Sequence, residues 1–338
     1  MKYLEGENLR DYTTFKIGGP IKFLVKVQDK SELFEALDKA EQEKWPLLIL
    51  GSGSNILASD QGFSGLVIKN EIKGLEIISE NDSEVIIRAQ SGEIWSKLVK
   101  FTVDRNFYGL ENTFHIPGTV GAAPIQNIGA YGTELKDCLV SLKAINLKTK
   151  EEKEFSASDC ELAYRDSIFK NELKGQYFIL SLDLRLKKNG NLNLNYPDIQ
   201  RVLTERKITE PSLSDLIEII REIRDEKLPN PGVLPSAGSF FKNPIISSEL
   251  LSKLQDKFSD LRYFVNGDEI KIPAGWMIEK CGFKDRDFGS VGVHKKQALI
   301  LVNYGGAKQS DVLALAQKIK EEVKDRFNIS LEEEVNII

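Results

Sequence analysis

The stretch "HIPGTVGAAPIQNIGAYGTEL", His115 to Leu135, packs four glycines and two prolines among alanines and Thr119. Such a density suits no hydrophobic core, because glycine loses the most backbone entropy on ordering and packs nothing in return. It suits a place where backbone lies directly against a flat or anionic ligand. A second stretch, "LLILGSGSNIL" (Leu47 to Leu57), sets Gly51 and Gly53 straight after an apolar run that reads as a buried strand. It is not the dinucleotide fingerprint, since Ile56 occupies the third glycine position and "ASDQGFSG" offers no helix to receive a phosphate. It lacks the Gly-Lys-Ser/Thr of a P-loop as well. What is left is a turn of small residues whose N–H groups can converge on an anion. Taken together, the two loops suggest one extended nucleotide held between two domains; the alternative is a pair of unrelated surface loops.

Around these loops the chain alternates between helical and strand periodicity. "IKFLVKVQ" alternates as a strand, "KSELFEALDKAEQEK" has helical spacing at Leu33, Phe34 and Leu37, and "WPLLILG" is a short buried strand, a β-α-β opening. From Gly62 to about Leu186 strand-like runs dominate, interrupted by one helix near Gly92 to Arg105. "SLSDLIEIIREIRDEKLPNPG" reads as an amphipathic helix capped by Ser212 with Asp215 three residues on, and its Pro-Asn-Pro-Gly ending marks a domain boundary. The last third is mixed: a helix at "SSELLSKLQDKF", a strand at "ALILVNYG", and a long helix with a core stripe of Val312, Leu315, Ala316, Ile319, Val323 and Phe327.

At 338 residues, several domains are expected, and 41% apolar with 29% charged residues is an ordinary soluble composition. A net charge of -5 gives no basic footprint for nucleic acid. "MKYLEGENLRDYTTF" lacks the apolar segment of a signal peptide, and no run has the length of a membrane span. Cys138, Cys160 and Cys281 are too widely spaced for a zinc pattern or a disulfide framework, and His115 and His294 too few for a metal cluster. Buried structural thiols in a reducing, cytoplasmic setting are the expectation. Oligomeric state is not legible here; a monomer is compatible with the sequence.

One further stretch, "PSAGSFFKNP" (Pro235 to Pro244), crowds small, hydroxyl, aromatic and polar groups onto what reads as a strand edge. With it, "LGSGSNIL", "IPGTVGAAPIQNIGAYG", "YRDSIFK", "AGWMIEKCG" and "VHKKQALILVN" occur in an order that resembles the UDP-N-acetylenolpyruvoylglucosamine reductase family, in its longer, type I form. These enzymes are also called UDP-N-acetylmuramate dehydrogenases. The resemblance runs from about Thr14 to Glu334. It implies an α+β fold of two FAD-binding domains of the vanillyl-alcohol-oxidase (PCMH) type plus an α/β substrate-binding domain. The expected division is 1–70 joined by the tail 328–338, then 71–227, then 228–327 as the substrate domain.

The resemblance also implies bound FAD, NADPH as reductant and the enolpyruvyl ether of UDP-GlcNAc as substrate, in the peptidoglycan pathway that serves cell shape and division. On this basis FAD contacts fall on Gly51, Ser52, Gly53, Ser54, Asn55, Pro117, Gly118, Thr119, Gly121 and Ala122, with Arg224 reaching a phosphate. Arg165, in "YRDS", matches the family's catalytic arginine, and its planar fork suits two carboxylate oxygens. Glu334 falls on the glutamate that polarises the enolate as a protonated acid, with Glu333 the alternative carboxylate. Ser239 matches the proton donor to C2, while hydride goes to C3. Tyr196, Lys227, Asn243 and Tyr263 match residues that grip the nucleotide or its phosphates.

The chain departs from the family at Glu333, where proline is frequent, at Asn336, where arginine is frequent, and at Thr13-Thr14-Phe15, where asparagine usually precedes Thr-Phe. The Asn336 change would remove a secondary substrate contact. Two rivals remain: an FAD enzyme of the same fold with another substrate, and a nucleotide-sugar binder without turnover.

Overall fold

The computed structural model describes residues 1–338, the Asn266 side chain excepted. It resolves into two compact units, one of Met1–Glu7, Ile21–Ser52 and Phe63–Glu226, the other of Asn8–Pro20, Gly53–Gly62 and Lys227–Ile338.

In the first unit, strand Phe63–Asn70 lies between Ile21–Val27 and Leu47–Leu50, parallel to both, with Val67 paired to Leu24 on one side and Leu48 on the other. A parallel strand covered on both faces must be apolar throughout its middle, and Leu66, Val67 and Ile68 are fully buried. The strand therefore belongs with the β-α-β opening, not with the antiparallel strands that follow it. Helix Lys30–Gln42 starts where Asp29 accepts the Glu32 N–H at 2.8 Å, and buries Leu33 and Leu37 against Val25 and Ile68.

The antiparallel sheet of this unit has the order Glu152–Ser156, Leu139–Asn146, Tyr177–Lys187, Glu84–Gln90, Leu75–Glu80. Its long central strand is pinned across the sheet by a two-pronged pair, Arg88 to Asp183 at 2.7 and 2.6 Å, on directly opposed residues. The helix expected near 92–105 spans Trp95–Val103, and Trp95, Leu98 and Val99 are buried in the same cluster as Ile87, Leu142 and Leu182. Helix Leu213–Lys227 begins with the expected box: Asp215 N–H donates to Ser212 Oγ at 3.1 Å, and Ser212 N–H to Asp215 at 2.9 Å. It packs on helix Pro197–Arg206, which the periodicity did not single out because Ile199, Val202 and Leu203 alone make its buried stripe.

In the second unit, the antiparallel sheet has the order Ser236–Ser239, Ile300–Asn303, Val291–Val293, Arg286–Phe288. A smaller sheet joins Ile245–Ile246, Glu269–Lys271 and Phe264–Asn266. Helix Gln309–Phe327 buries all six residues of its expected stripe. Phe240, Phe241, Met277 and Ile278 complete the core, together with Phe15, Ile17 and Leu57 from the two early segments. Those three side chains explain why 8–20 and 53–62 fold with the C-terminal third. The tail closes on the same unit, with Asn336–Ile337 running parallel to Ile56–Leu57. Among the described residues no helix is long and apolar enough to cross a membrane.

Candidate active site

The first glycine-rich loop is irregular, whereas the second holds a short 3-10 helix, Val120–Ile125, and a small hairpin pairing Gly129–Ala130 with Thr133–Glu134; each is fixed by identifiable contacts. At Gly51 an added Cβ would stand 2.5 Å from Thr119 Oγ1, so the first loop meets the second at a distance only glycine allows. The second loop is sewn to residues 91–95: Trp95 N–H donates to Gly118 O (3.1 Å), Val120 N–H to Glu93 O (2.9 Å), and Gly121 N–H to Ser91 O (2.8 Å). At Gly121 a Cβ would lie 2.6 Å from that of Ser91. This glycine is therefore demanded by the protein's own packing as well as by any ligand. Thr119 is buried, Gly118 is partly buried, and Pro117 and Ala122 face outward.

Next to this loop lies a cluster of cations and phenols. Arg224, on helix Leu213–Lys227, donates from Nε to His115 O at 3.2 Å and hydrogen-bonds Tyr131. Burial lowers its pKa, the Tyr131 phenol opposes that shift, and the like charge of Arg165 adds to it. Tyr131 and Tyr196 meet edge to face, with centroids 5.3 Å apart and an interplanar angle of 83°. Burial raises the Tyr196 pKa while Arg165 pulls the other way. Arg165 sits in a tight turn with φ +53°, a left-handed conformation costly for a residue with a side chain. Its Nη2 donates to Gly129 O at 2.9 Å. Two guanidiniums within electrostatic reach of one another are unfavourable in isolation and suit a ligand bearing several anionic groups.

Tyr131 was missed by sequence reasoning, which read only the glycines of "GAYG". In the fold Tyr131 and Gly132 make the turn of the Gly129–Ala130 and Thr133–Glu134 hairpin, at φ +48° and +78°.

In the second unit Ser239 ends a bulged strand. Ser236 pairs with Val302 and Ser239 with Ile300, so that Ala237 and Gly238 face Leu301 alone. The extra residue is absorbed at Gly238, which has φ +73° and open space where a Cβ would be. Glycine is required there by conformation, and the bulge re-aims the hydroxyl that follows it. Phe240 and Phe241 pack as expected, each 1% exposed, with ring centroids 5.1 Å apart.

The tail runs antiparallel to these residues: Glu334 N–H donates to Phe240 O at 2.8 Å and Lys242 N–H to Glu332 O at 2.9 Å. Glu334 is thereby set against the residue after Ser239. Of its two acidic neighbours, Glu333 pairs with Lys320 at 2.9 Å and Glu332 with Lys242 at 3.2 Å. Asn55 Nδ2 donates to Glu334 O at 3.2 Å, and Asn336 returns its N–H and Nδ2 to Asn55 O at 3.0 and 3.2 Å. The asparagine that stands for an arginine is thus a latch on the Ser54–Asn55 turn. Gly53 is equally constrained, at φ +68° with a would-be Cβ 2.0 Å from Tyr12 O. Thr14 Oγ1 donates to Ser236 O at 2.7 Å, which ties "TTF" to the Ser239 strand.

Asn243 accepts the Ala274 N–H at 2.9 Å through Oδ1 and so caps helix Ala274–Lys280, whose preceding residue, Pro273, offers no capping side chain. Tyr263 is exposed beside Phe264 and Val265, and Lys227 ends its helix. His115 pairs with Asp225 at 3.1 Å on the surface. His294 is buried, and burial first, then Lys295 and Lys296, lowers its pKa. Cys138 and Cys160 are buried, and burial raises the Cys160 thiol to about 12, far from a nucleophile's range. Among the described residues no group of three or more His, Cys, Asp or Glu side chains could hold a metal ion.

Comparison with known proteins places this geometry in a class and then in a family. Residues 21–151 match the family described as FAD binding domain, and residues 230–338 match UDP-N-acetylenolpyruvoylglucosamine reductase, C-terminal domain. The class is that of flavin-binding oxidoreductases with a C-terminal domain of their own. The UDP-N-acetylenolpyruvoylglucosamine reductase of Flavobacterium johnsoniae is 44% identical over 333 residues, 98% of each chain. That of Pseudomonas aeruginosa is 42% identical over 331 residues, covering 98% of this chain and 97% of its own. The crystal structure of the Thermus caldophilus enzyme of this name shares the fold, with TM-score 0.68 at 22% identity over 99% of this chain and 98% of its own. The chain belongs to the UDP-N-acetylenolpyruvoylglucosamine reductase family.

The residues present fit FAD: two loops of small residues joined at Gly51 and Thr119, and partly buried cations beside one of them.

Proposed function

We propose that this chain catalyses the NADPH-dependent, FAD-mediated reduction of the enolpyruvyl ether of UDP-GlcNAc to UDP-N-acetylmuramate, in peptidoglycan synthesis. The observation that carries the reading is the antiparallel pairing of 240–242 with 332–334, which sets Ser239 and Glu334 on adjoining backbone. Residues 1–70 with 328–338, and 71–227, are assigned to holding FAD, and 228–327 to the substrate. Gly51, Ser52, Gly53, Ser54, Asn55, Pro117, Gly118, Thr119, Gly121 and Ala122 line the cofactor, and Arg224 takes a phosphate. A cytoplasmic enzyme fits this role.

Bound FAD, reduced by NADPH, supplies the hydride for C3 of the enolpyruvyl group. Arg165 holds the substrate carboxylate in its planar fork and stabilises charge that spreads into it as C2 becomes enolate-like. Ser239 Oγ–H delivers the proton to C2; a serine is a weak acid, so placement by the Gly238 bulge matters more than intrinsic acidity. The Glu334 carboxyl meets the same developing charge. Glu333 is the weaker candidate for that role because Lys320 holds it. Tyr196, Lys227, Asn243 and Tyr263 grip the nucleotide or its phosphates, Asn243 while also capping helix Ala274–Lys280.

The test is NADPH oxidation by the yellow, flavin-loaded chain. It should depend on added UDP-GlcNAc-enolpyruvate and yield UDP-N-acetylmuramate. Turnover of another acceptor alone would favour a different enzyme of the same fold, and binding without turnover a nucleotide-sugar binder.

A further inference from the structure

Lys69 has no part in the roles above, yet its position calls for an explanation. It lies near the end of the central parallel strand, in register with Leu50, directly after the fully buried Leu66, Val67 and Ile68. Its ammonium is turned under the first glycine loop and donates to Gly51 O, the residue whose missing Cβ lets Thr119 of the second loop approach. Among the described residues no carboxylate lies within ion-pair distance of this ammonium. Glu71, the nearest along the chain, pairs with Lys26 at 3.6 Å. A carbonyl satisfies one of three N–H donors and none of the charge. Burial, the largest cause, pulls the Lys69 pKa down, with Glu71 opposing and Lys26 adding to the shift. A cation held in this way lacks its counter-charge, and an anion at the junction of the two loops would supply it.

We propose that Lys69 is a diphosphate-binding residue for FAD, adding positive charge at the point where the two glycine-rich loops meet. The proposal rests on the flavin reading of those loops and extends it to a residue that carries no glycine-loop signature.

The test is the affinity for FAD, read by quenching of flavin fluorescence as the flavin-depleted full chain is titrated. Lys69→Met should raise the Kd about tenfold or more at low ionic strength, with a smaller gap at high salt. Lys69→Arg, which keeps the charge, should stay within about threefold. The Kd of ADP, which carries the diphosphate but no flavin, should rise for the Met variant by a factor similar to that for FAD. Should Lys69→Met fail to fold, amine acylation of the unsubstituted chain gives the answer: FAD should protect Lys69 and leave Lys26 unchanged. Wild-type binding with Lys69→Met within about twofold of it, or no protection of Lys69, overturns the proposal and leaves the flavin reading standing. An unsubstituted chain that binds no FAD overturns the flavin reading, and the proposal falls with it.

Discussion

In the unit that holds Arg165, Tyr131 and Arg224, Arg165 and Tyr131 hang on turns with left-handed backbones, while Arg224 stands on the last turn of helix Leu213–Lys227. In the other unit Ser239 stands on a sheet strand whose next two residues are fully buried phenylalanines, and Glu334 is hydrogen-bonded to that strand. The contrast separates two tasks. Groups that gather an anionic ligand sit on left-handed turns and at a helix end, clamped by hydrogen bonds, where small adjustments are tolerated. A hydroxyl that must reach one carbon is placed by sheet register and core packing, where they are not.

Substitutions on the two sides should therefore differ in kind. The largest effect is expected for Ser239→Ala, with kcat for the enolpyruvyl substrate falling roughly 10³-fold and KM changing little. Arg165→Lys keeps the charge but loses the two-pronged geometry. It should lower kcat/KM about 10²-fold with a visible rise in KM, the mark of a binding group that also stabilises charge.

The glycines sharpen the contrast on stability. Gly53→Ala combines left-handed backbone with a 2.0 Å clash on Tyr12 O and should cost roughly 2–4 kcal/mol in urea unfolding. Gly238→Ala meets open space and has only its φ of +73° to overcome, so about 1–2 kcal/mol is expected, with catalysis falling as Ser239 shifts. The smallest effect concerns thiols. With the Cys160 pKa raised to about 12, the native protein should resist alkylation there at pH 8 and label readily once unfolded, as mass spectrometry would record.

Much of this was open to reading in the chain because it depends on local chemistry. The stripe of the Gln309–Phe327 helix, the Ser212 cap and the buried Phe pair follow from periodicity and hydrogen-bonding type. Non-local placement was not legible. The joining of 8–20 and 53–62 to the C-terminal core rests on Phe15, Ile17 and Leu57 finding partners more than 170 residues away along the chain. Nothing local distinguishes Lys69 from other strand residues, because its contact with Gly51 O exists only in the folded chain. Tyr131 lay hidden among glycines, and its link to Arg224 crosses nearly a hundred residues. Asn336 read as a lost substrate contact, yet it forms a latch on Asn55 that no local pattern announces.

The division of labour is tested most directly by stopped-flow measurement of the two half-reactions of Ser239→Ala. Flavin reduction by NADPH should proceed within about threefold of the unsubstituted rate, while reoxidation by UDP-GlcNAc-enolpyruvate should slow by roughly 10³-fold. Equal slowing of both halves would contradict the assignment of Ser239 as the proton donor to C2.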